Sequence, residues 1–300
     1  MISMVIHGGA WNIPDSLLDA HRNGCAAAIG KGWNILSSGG TAIDAVEQAV
    51  RVMEADGTFD AGRGAHLNAD GHVELDASIM EGHSYRCGAV AAVRRVMHPI
   101  TLARKIMEES EHILLVGQGA ERFAVSAGIR LCRESELVTD RERALWKSVN
   151  AKSGFRSKHA FSKHPGDTVG AVAVDRSGNI CVGTSTGGTL NKYPGRVGDS
   201  PLIGCGSYAE NGIGGVSTTG WGEGMIKVVL AKTVIDHMDA NEKDPQKAAE
   251  FGIDLLHKKV DGRGGVIVLN YEGRVGVSFS TPRMAFACMT EEMNEPRVEA

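Results

Sequence analysis

The sequence lacks the features that mark several common classes of protein. None of its apolar runs is long enough to span a bilayer. The first residues, Met1-Ile-Ser-Met-Val-Ile-His7, lack the charged segment and the long apolar segment of a signal peptide. We therefore expect no contact with membranes and no signal peptide.

Strong charge and paired cysteines are also missing. The 32 Lys and Arg residues nearly balance the 36 Asp and Glu residues, for a formal net charge of -4. With no basic stripe in view, there is no electrostatic case for binding nucleic acid. The six cysteines are scattered and form no CxxC pair, which argues against a zinc or redox motif and suits a reduced cytoplasm.

Glycine is abundant, by contrast, with 39 of the 300 residues. Glycine-rich stretches beside short apolar runs indicate many tight turns and close backbone approaches. A chain of this length can bury a sizeable core as one large domain or two small ones.

The order of predicted elements indicates the α+β class. Strands bunch together and helices bunch together on both sides of a polar stretch at about 140–167, which has few apolar residues and is predicted to be a flexible linker. Helical spacing over 14–38 and 42–54 is clear, with Thr41 as a predicted N-cap of the second helix. This arrangement predicts two sheets sandwiched between helical layers.

One junction, Gly166-Asp167-Thr168-Val169-Gly170, joins the linker to a buried-looking strand. A threonine at this place is usually an ordinary strand residue. If the chain were cut before Thr168, however, that residue would carry both a nucleophilic hydroxyl and a free α-amine that can act as its base. The junction alone leaves both interpretations open.

Three hydroxyl-glycine or charged-glycine clusters follow. Gly183–Gly188 ends the strand that should pair with the one begun by Thr168, so Thr186 is expected beside Thr168. In Pro194–Ser200, Arg196 and Asp199 could bind the carboxylate and the ammonium of an amino acid, or could form an ordinary surface ion pair. Ser217–Gly220 could supply oxyanion donors or a plain N-cap.

Together these clusters resemble the plant-type (type III) asparaginase/isoaspartyl peptidase family of N-terminal-nucleophile hydrolases. The resemblance extends upstream through motifs in the expected order: His7-Gly-Gly-Ala10, Gly39-Gly-Thr-Ala-Ile-Asp-Ala-Val46, Phe59-Asp-Ala-Gly-Arg-Gly64 and Leu75-Asp-Ala-Ser-Ile-Met-Glu-Gly82. It implies a single domain over 1–300 with a four-layer αββα sandwich. It also implies cleavage between Asp167 and Thr168 into chains 1–167 and 168–300, which stay together, usually as a dimer of such pairs.

The resemblance implies roles for individual residues. The predicted set is the nucleophile Thr168, its supporting hydroxyl Thr186, the carboxylate-binding Arg196, the amine-binding Asp199, and the oxyanion donors Thr219 and Gly220. It implies no cofactor for catalysis. It does imply a structural sodium ion held by backbone carbonyls, a donor type that suits hard cations, in the loop that contains Met53, Glu54, Asp56, Phe59, Ala61 and Arg63.

The predicted activity is hydrolysis of β-aspartyl amides, namely L-asparagine and isoaspartyl dipeptides, by a cytoplasmic enzyme. Two departures from the commoner family pattern leave alternatives. Asp60 stands where many relatives have Asn, which allows a poorly processed homologue that only binds amino acids. Asp167 stands where many relatives have Gly. Because Asp-Thr is the cleavage junction of the related glycosylasparaginases, a glycosylasparaginase-like amidase is the second alternative.

Overall fold

The structure is a computed structural model that describes residues 1–150 and 168–300. The helices in these segments are α1 (Asp15–Ser37), α2 (Ala42–Ala55), α3 (Pro99–Glu109), α4 (Gly117–Ser126), α5 (Glu134–Leu137), α6 (Asp140–Asn150), α7 (Gly222–Val228), α8 (Leu230–Ala240) and α9 (Pro245–Val260). The strands are β1 (Ser3–Trp11), β2 (Leu75–Glu81), β3 (Cys87–Val93), β4 (Leu114–Val116), β5 (Val169–Val174), β6 (Ile180–Thr186), β7 (Ser207–Glu210), β8 (Gly214–Gly220), β9 (Gly264–Asn270), β10 (Val275–Phe279), β11 (Arg283–Thr290) and β12 (Arg297–Glu299).

Within the described segments the strands form two sheets. The larger has eight strands in the order β12-β11-β1-β5-β6-β2-β3-β4, and only β3 and β4 run parallel in it. The smaller has four antiparallel strands in the order β10-β9-β8-β7. Helices α1, α2 and α3 pack on the larger sheet, α8 and α9 pack on the smaller, and β5 and β6 face β8. The predicted αββα sandwich of the α+β class is confirmed.

The sequence of β5 shows why it lies in the middle of this stack. Val169 and Ala171 belong to the core under the helices, whereas Val172 and Val174 belong to the core between the two sheets. Since successive side chains of a strand point to opposite faces, a strand buried on both faces needs a continuous apolar run. The run from Val169 to Val174 meets that need.

Helix α2 also forms as its sequence predicts. Its N-cap Thr41 accepts a hydrogen bond from the Asp44 N–H through its side chain, which satisfies one of the unpaired donors of the first turn. Its apolar face, including Val46, Val50 and Met53, is buried against the larger sheet.

The predicted linker differs from the structure at its start. Asp140–Asn150 forms α6, and Glu142 and Val149 are buried in it. The mostly polar composition of this helix predicts a linker, and the prediction is wrong for these residues because Glu142 and Val149 pack into the fold. Residues 151–167, with the rest of the predicted linker and Asp167, lie outside the described residues. None of the helices described here is both long and apolar enough to cross a bilayer.

Candidate active site

Strand pairing brings the two predicted threonines together. Val169 of β5 lies opposite Ser185 of β6, which places Thr168 and Thr186 side by side at the ends of the two strands. The Thr168 hydroxyl donates to Thr186 Oγ1 at 3.2 Å, and the Gly188 N–H donates to the same oxygen at 2.9 Å. Both side chains are buried. The sequence expectation that Thr186 lies within hydrogen-bonding range of Thr168 holds in this geometry.

The buried His7 fixes the backbone of Thr168. His7 Nδ1 lies 2.9 Å from the carbonyl oxygen of Thr168, and its Nε2 lies 2.8 Å from Ser217 Oγ. Burial lowers the pKa of His7 to about 3, so the ring is neutral at pH 7. Because a carbonyl oxygen only accepts, Nδ1 carries the hydrogen and Nε2 accepts from the Ser217 hydroxyl.

This tautomer of His7 also fixes the direction of the hydrogen bond between Ser217 and Thr184. Ser217 Oγ also lies 2.8 Å from Thr184 Oγ1. Since the Ser217 hydroxyl already donates to His7, the Thr184 hydroxyl donates to Ser217. A chain of hydrogen bonds therefore links β6 and β8 through Ser217 and His7 to the main chain of Thr168, and joins the two sheets beneath the hydroxyl pair.

The Asp199 side chain is buried and the Arg196 side chain is half-buried, and Arg196 pairs with Glu223 rather than with Asp199. Arg196 donates through Nε and Nη2 to both carboxylate oxygens of Glu223, at 2.8 and 2.9 Å. Asp199 Oδ2 accepts from the Thr218 hydroxyl at 2.9 Å. Burial raises the pKa of Asp199 to about 6, although the Thr218 bond and the nearby Arg196 charge oppose the rise.

Gly222 shows that the two side chains converge. A Cβ atom added to Gly222 would lie 2.6 Å from Asp199 Oδ1 and 3.0 Å from Arg196 Nη2. Asp199 Oδ1 and Arg196 Nη2 thus lie close to the same point beside the backbone of Gly222. This arrangement can hold an ammonium and a carboxylate that belong to one amino acid.

Thr219 and Gly220 are the last two residues of β8. The Ala10 N–H donates to Thr219 Oγ1 at 3.4 Å, whereas the neighbouring Thr218 contacts Asp199. Gly220 has a φ of +131°, a conformation that favours glycine. Their role as oxyanion donors remains a prediction, since it depends on where a substrate oxygen sits.

Asp60 lies against the turn that follows Thr186. Its carbonyl oxygen accepts from the Gly187 N–H at 2.8 Å, and a Cβ on Gly187 would come within 2.1 Å of Asp60 Oδ1. The His66 N–H donates to Asp60 Oδ1 at 2.6 Å, and His66 Nδ1 lies 2.5 Å from Glu142 Oε2. The acid that departs from the family pattern is therefore fixed beside the hydroxyl pair and connected to α6.

The predicted sodium loop brings carbonyl oxygens into tight turns. A Cβ on Gly62 would lie 2.4 Å from the carbonyl oxygen of Glu54, and one on Gly64 would lie 2.8 Å from that of Phe59. Both glycines have positive φ, at +53° and +94°. The Glu54 carbonyl oxygen accepts from the Arg63 N–H at 2.7 Å, and the sodium site in this loop remains a prediction. In the described residues, no cluster of three or more His, Cys, Asp or Glu side chains could hold a metal ion.

The sequence does not predict the contacts of Glu223 and His7, because their partners are distant along the chain. Glu223 contacts Arg196, 27 residues away, a separation at which no periodic pattern pairs two residues. His7 contacts Thr168, 161 residues away, and Ser217, 210 residues away. The only usable signal was the isolated polar residue inside an otherwise apolar strand, which must find hydrogen-bond partners once it is buried.

Comparisons with known proteins cover almost the whole chain. The asparaginase family (Asparaginase_2) matches residues 1–298. A Danio rerio protein named isoaspartyl peptidase/L-asparaginase is 44% identical over 284 residues, covering 95% of this chain and 91% of that protein. Proteins of the same name from Xenopus laevis and Bos taurus are 44% and 45% identical, each over at least 95% of this chain and 92% of their own length.

Proposed function

Because the chain belongs to the asparaginase family and is a hydrolase of amide bonds, we propose that it cleaves β-aspartyl amide bonds with Thr168 as its nucleophile. The proposed substrates are L-asparagine and isoaspartyl dipeptides. Formation of the active enzyme requires the chain to cleave itself between Asp167 and Thr168. The cut gives Thr168 a free α-amine, which serves as the general base.

The proposed reaction has two steps. The α-amine of Thr168 takes the hydroxyl proton as Oγ1 attacks the side-chain carbonyl carbon of the substrate. The C–N bond then breaks, and the leaving nitrogen takes a proton to depart as ammonia or as the amine of an amino acid. Water next attacks the β-aspartyl ester of Thr168, which releases aspartate and restores the hydroxyl.

The chain's own groups would position the reactants. Thr186 holds the Thr168 hydroxyl, while Arg196 and Asp199 bind the α-carboxylate and α-amine of the aspartyl moiety. Thr219 and Gly220 would stabilise the negative oxygen of the tetrahedral intermediate. An ordinary α-amine has a pKa of about 7.7–8.0, so a useful fraction is neutral near pH 7.

One observation carries the proposal: the buried Thr168 hydroxyl bonded to Thr186 at 3.2 Å. Hydrogen-bonded threonine pairs also occur in ordinary sheets, so this bond supports the proposal together with the family to which the chain belongs. Arg196 and Asp199 add the charges expected for an amino-acid substrate.

Mass spectrometry of the purified protein under denaturing conditions tests the proposal. We expect two chains divided between residues 167 and 168, and loss of both cleavage and asparagine hydrolysis in Thr168→Ala. Thr168→Ser keeps a hydroxyl and should retain slower cleavage and slower hydrolysis. Full activity in Thr168→Ala would show that the nucleophile has been assigned wrongly.

Substrate comparison separates this proposal from a glycosylasparaginase-like amidase. The relatives above are named isoaspartyl peptidase/L-asparaginase, which favours the smaller substrates. We expect a higher kcat/KM for an isoaspartyl dipeptide than for N-acetylglucosaminyl-asparagine. The opposite ranking would support the glycan-directed alternative.

We also propose a structural sodium ion in the loop of Met53, Glu54, Asp56, Phe59, Ala61 and Arg63. An ion that binds only the folded state raises the unfolding temperature with its concentration. We expect a higher unfolding temperature in sodium chloride than in choline chloride at the same ionic strength. Equal values in the two salts would remove the basis for the site.

We also propose that the protein is a dimer of cleaved pairs and that it works in the cytoplasm. A dimer of cleaved pairs should appear in light scattering as twice the mass of one chain. The six cysteines are all free thiols in the structure, which is compatible with a reducing cytoplasm.

A further inference from the structure

Lys192 is a buried lysine that the proposed reaction does not use. It lies in the loop between β6 and β7, shortly before Arg196, and the residue is only 3% exposed. Lysine is almost never fully buried without a partner, because its ammonium group loses water on burial. A lysine buried in this loop must therefore be held by specific contacts.

The Lys192 side chain lies against the backbone that holds the hydroxyl pair of Thr168 and Thr186. A Cβ added to Gly188 would come within 2.8 Å of Lys192 Nζ and 3.0 Å of its Cδ. The Gly188 N–H is the donor that bonds to Thr186 Oγ1 at 2.9 Å, and Thr186 in turn accepts from the Thr168 hydroxyl. The lysine therefore supports the peptide group that fixes Thr186.

The same lysine is connected through Glu74 to the amino-acid clamp, which is formed by Arg196 and Asp199. Lys192 Nζ donates to the carbonyl oxygen of Glu74 at 2.8 Å. The Glu74 carboxylate accepts from the Gly195 N–H through its two oxygens, at 3.1 and 3.0 Å, and Gly195 directly precedes Arg196. Glu74 is thus bonded at two points to the loop that carries the clamp.

Asp76 supplies a negative charge close to this lysine. It lies opposite Thr186 in the ladder of β2 with β6, and it is fully buried. Its Oδ1 accepts from the Ala92 N–H at 2.8 Å. Among the acids near Lys192, Asp76 favours the ammonium most. A buried carboxylate and a buried ammonium therefore lie together beside the hydroxyl pair.

The two buried charges stabilise each other. Burial lowers the pKa of Lys192 and raises that of Asp76, and the charge of each residue opposes the shift of the other. The Glu74 and Asp60 carboxylates also favour the ammonium, whereas the Arg196 guanidinium disfavours it. Removal of the ammonium would thus leave the Asp76 carboxylate buried with less compensation.

We propose that Lys192 is a positioning residue that joins the hydroxyl pair to the clamp. Its ammonium fixes Thr186 through the Gly188 peptide and fixes the start of the clamp through Glu74. The inference rests on the proposed function and adds the group that sets the spacing within the site. A β-aspartyl substrate spans this spacing, because its α-amine and α-carboxylate bind at the clamp while its side-chain carbonyl meets Thr168. Small errors in such a distance lower the rate strongly.

The first test replaces Lys192 by methionine, which keeps much of the apolar stem and removes the ammonium. kcat and KM for L-asparagine are measured per cleaved enzyme, with the cleaved fraction taken from denaturing gels. We expect kcat to fall and KM to rise, each by about tenfold, the order expected for loss of a hydrogen bond from a charged group. Unchanged kinetics in Lys192→Met would overturn the proposal.

Lys258→Met is the matched control for this substitution. Lys258 lies on α9, pairs with Asp254 and has a side chain that is 72% exposed. Loss of an exposed pair costs little, so this variant should keep the wild-type kcat and KM.

A double variant separates a role of the charge from a packing defect. Asp76→Asn removes the carboxylate that Lys192→Met leaves uncompensated and keeps an oxygen for the Ala92 N–H. We expect the double variant to have a kcat/KM about threefold above that of Lys192→Met, because an unpaired buried charge costs more than a neutral amide. Two unrelated packing defects would lower activity further. A double variant no more active than Lys192→Met would therefore count against the proposal.

Two Glu74 variants test the connection to the clamp alone. Glu74→Ala removes the acceptor for the Gly195 N–H but leaves the carbonyl oxygen that binds Lys192. KM should rise about tenfold while kcat stays within about twofold, the signature of lost substrate binding. Glu74→Gln keeps an acceptor oxygen and should raise KM less. If Lys192→Met does not fold, equal KM values for the two Glu74 variants, or wild-type kinetics in the double variant, would overturn the proposal.

Failure of the underlying function gives a different result. If wild-type enzyme hydrolyses neither L-asparagine nor the isoaspartyl dipeptide β-Asp-Leu, the proposed activity falls and the role of Lys192 falls with it. If the wild type and every variant hydrolyse asparagine with the same kcat and KM, the activity stands and only the positioning role is overturned.

Discussion

Burial sets the protonation of two ionisable residues at the proposed site, His7 and Asp199. His7 is neutral because burial lowers its pKa to about 3, and this neutrality allows one ring nitrogen to donate and the other to accept. Burial acts in the opposite direction on Asp199, whose pKa rises to about 6. In each case the charged form loses its water on burial. The site therefore combines a histidine that stays neutral with an acid that titrates near neutrality.

The Asp199 pKa predicts a pH dependence. Above about pH 6 the group is a carboxylate and can hold the substrate ammonium, and as the pH falls through about 6 it becomes protonated and loses that attraction. The plot of log(kcat/KM) against pH should therefore steepen below about 6, beyond the decline caused by the Thr168 amine. Rates from pH 4.5 to 8 on β-Asp-Leu would measure this.

Asp199→Asn provides the comparison for this profile. It should lose most of its activity through weaker substrate binding, and its residual profile should lack the extra steepening. A wild-type profile with no change of slope between pH 5 and 7 would contradict the assignment of Asp199 to the ammonium.

A second prediction at this scale concerns the buried contact between Glu142 and His66. Burial raises the pKa of the Glu142 carboxyl group, but the charges and hydrogen bonds of His66 and Arg141 lower it overall. The carboxylate thus stabilises the fold above its ordinary pKa, and this contribution is lost as the pH falls below it. Glu142→Gln should lower the free energy of unfolding by about 1–3 kcal/mol, because a charge-assisted bond is lost in a buried place.

Glu109→Gln is the matched control for this substitution. Glu109 also lies on a helix and pairs with a basic residue, Lys105, but on the surface, where such pairs contribute little. Denaturant unfolding of both variants at pH 7 should show a loss only in Glu142→Gln. Equal stability of the two variants would mean that the buried contact contributes nothing to the fold.

At the scale of elements, close packing between strands restricts which residue type can stand at a given position. On β5, a Cβ added to Gly170 would lie 2.1 Å from Ser217 Oγ and 2.4 Å from His7 Nε2. Room for this Cβ requires the Ser217 and His7 side chains to move from the positions in which they are hydrogen-bonded to each other. The hydrogen-bond chain between the sheets therefore depends on the absence of a side chain at Gly170.

Gly170→Ala should accordingly lower the free energy of unfolding by about 1–3 kcal/mol, the usual cost of overpacking, and should reduce self-cleavage. Gly30→Ala is the control, because a Cβ on Gly30 meets nothing within 4 Å in the middle of α1. That substitution should stabilise the protein by about 0.5–1 kcal/mol, since alanine favours helix. Thermal unfolding and denaturing gels would give both results, and a Gly170→Ala protein with normal stability and cleavage would contradict this packing argument.

The sequence predicts elements well where local chemistry decides them. The Thr41 cap, the apolar face of α2 and the doubly buried run of β5 all follow from spacing and side-chain type. The prediction was less good for α6, because its mostly polar sequence hides the buried Glu142. The bidentate contact of Arg196 with Glu223 is set by the fold and has no local signal.

The whole molecule interleaves the two segments that cleavage before Thr168 would produce. In the larger sheet, β1 from the first segment lies between β11 and β5 from the second, and β6 of the second segment lies beside β2 of the first. Neither segment forms this sheet alone. The ladders of β1 with β5 and β11, and of β2 with β6, would hold the two together if the peptide bond before Thr168 were cut.

We therefore expect the cleaved chains to elute as one species in size-exclusion chromatography without denaturant. They should separate only at denaturant concentrations that also abolish the far-UV circular dichroism of the sheets. Release of either chain at lower concentration would mean that the interleaved strands do not carry the association.

The position of β1 between two strands of the other segment also changes how the molecule can return from the unfolded state. An uncut chain, such as Thr168→Ala, brings β1 to its neighbours by closing a loop within one molecule, so its refolding rate should not depend on protein concentration. The cut protein must find its second chain by diffusion, and its refolding should become second order. Self-cleavage would thus turn a chain that can refold alone into a pair whose recovery after unfolding depends on how much protein is present.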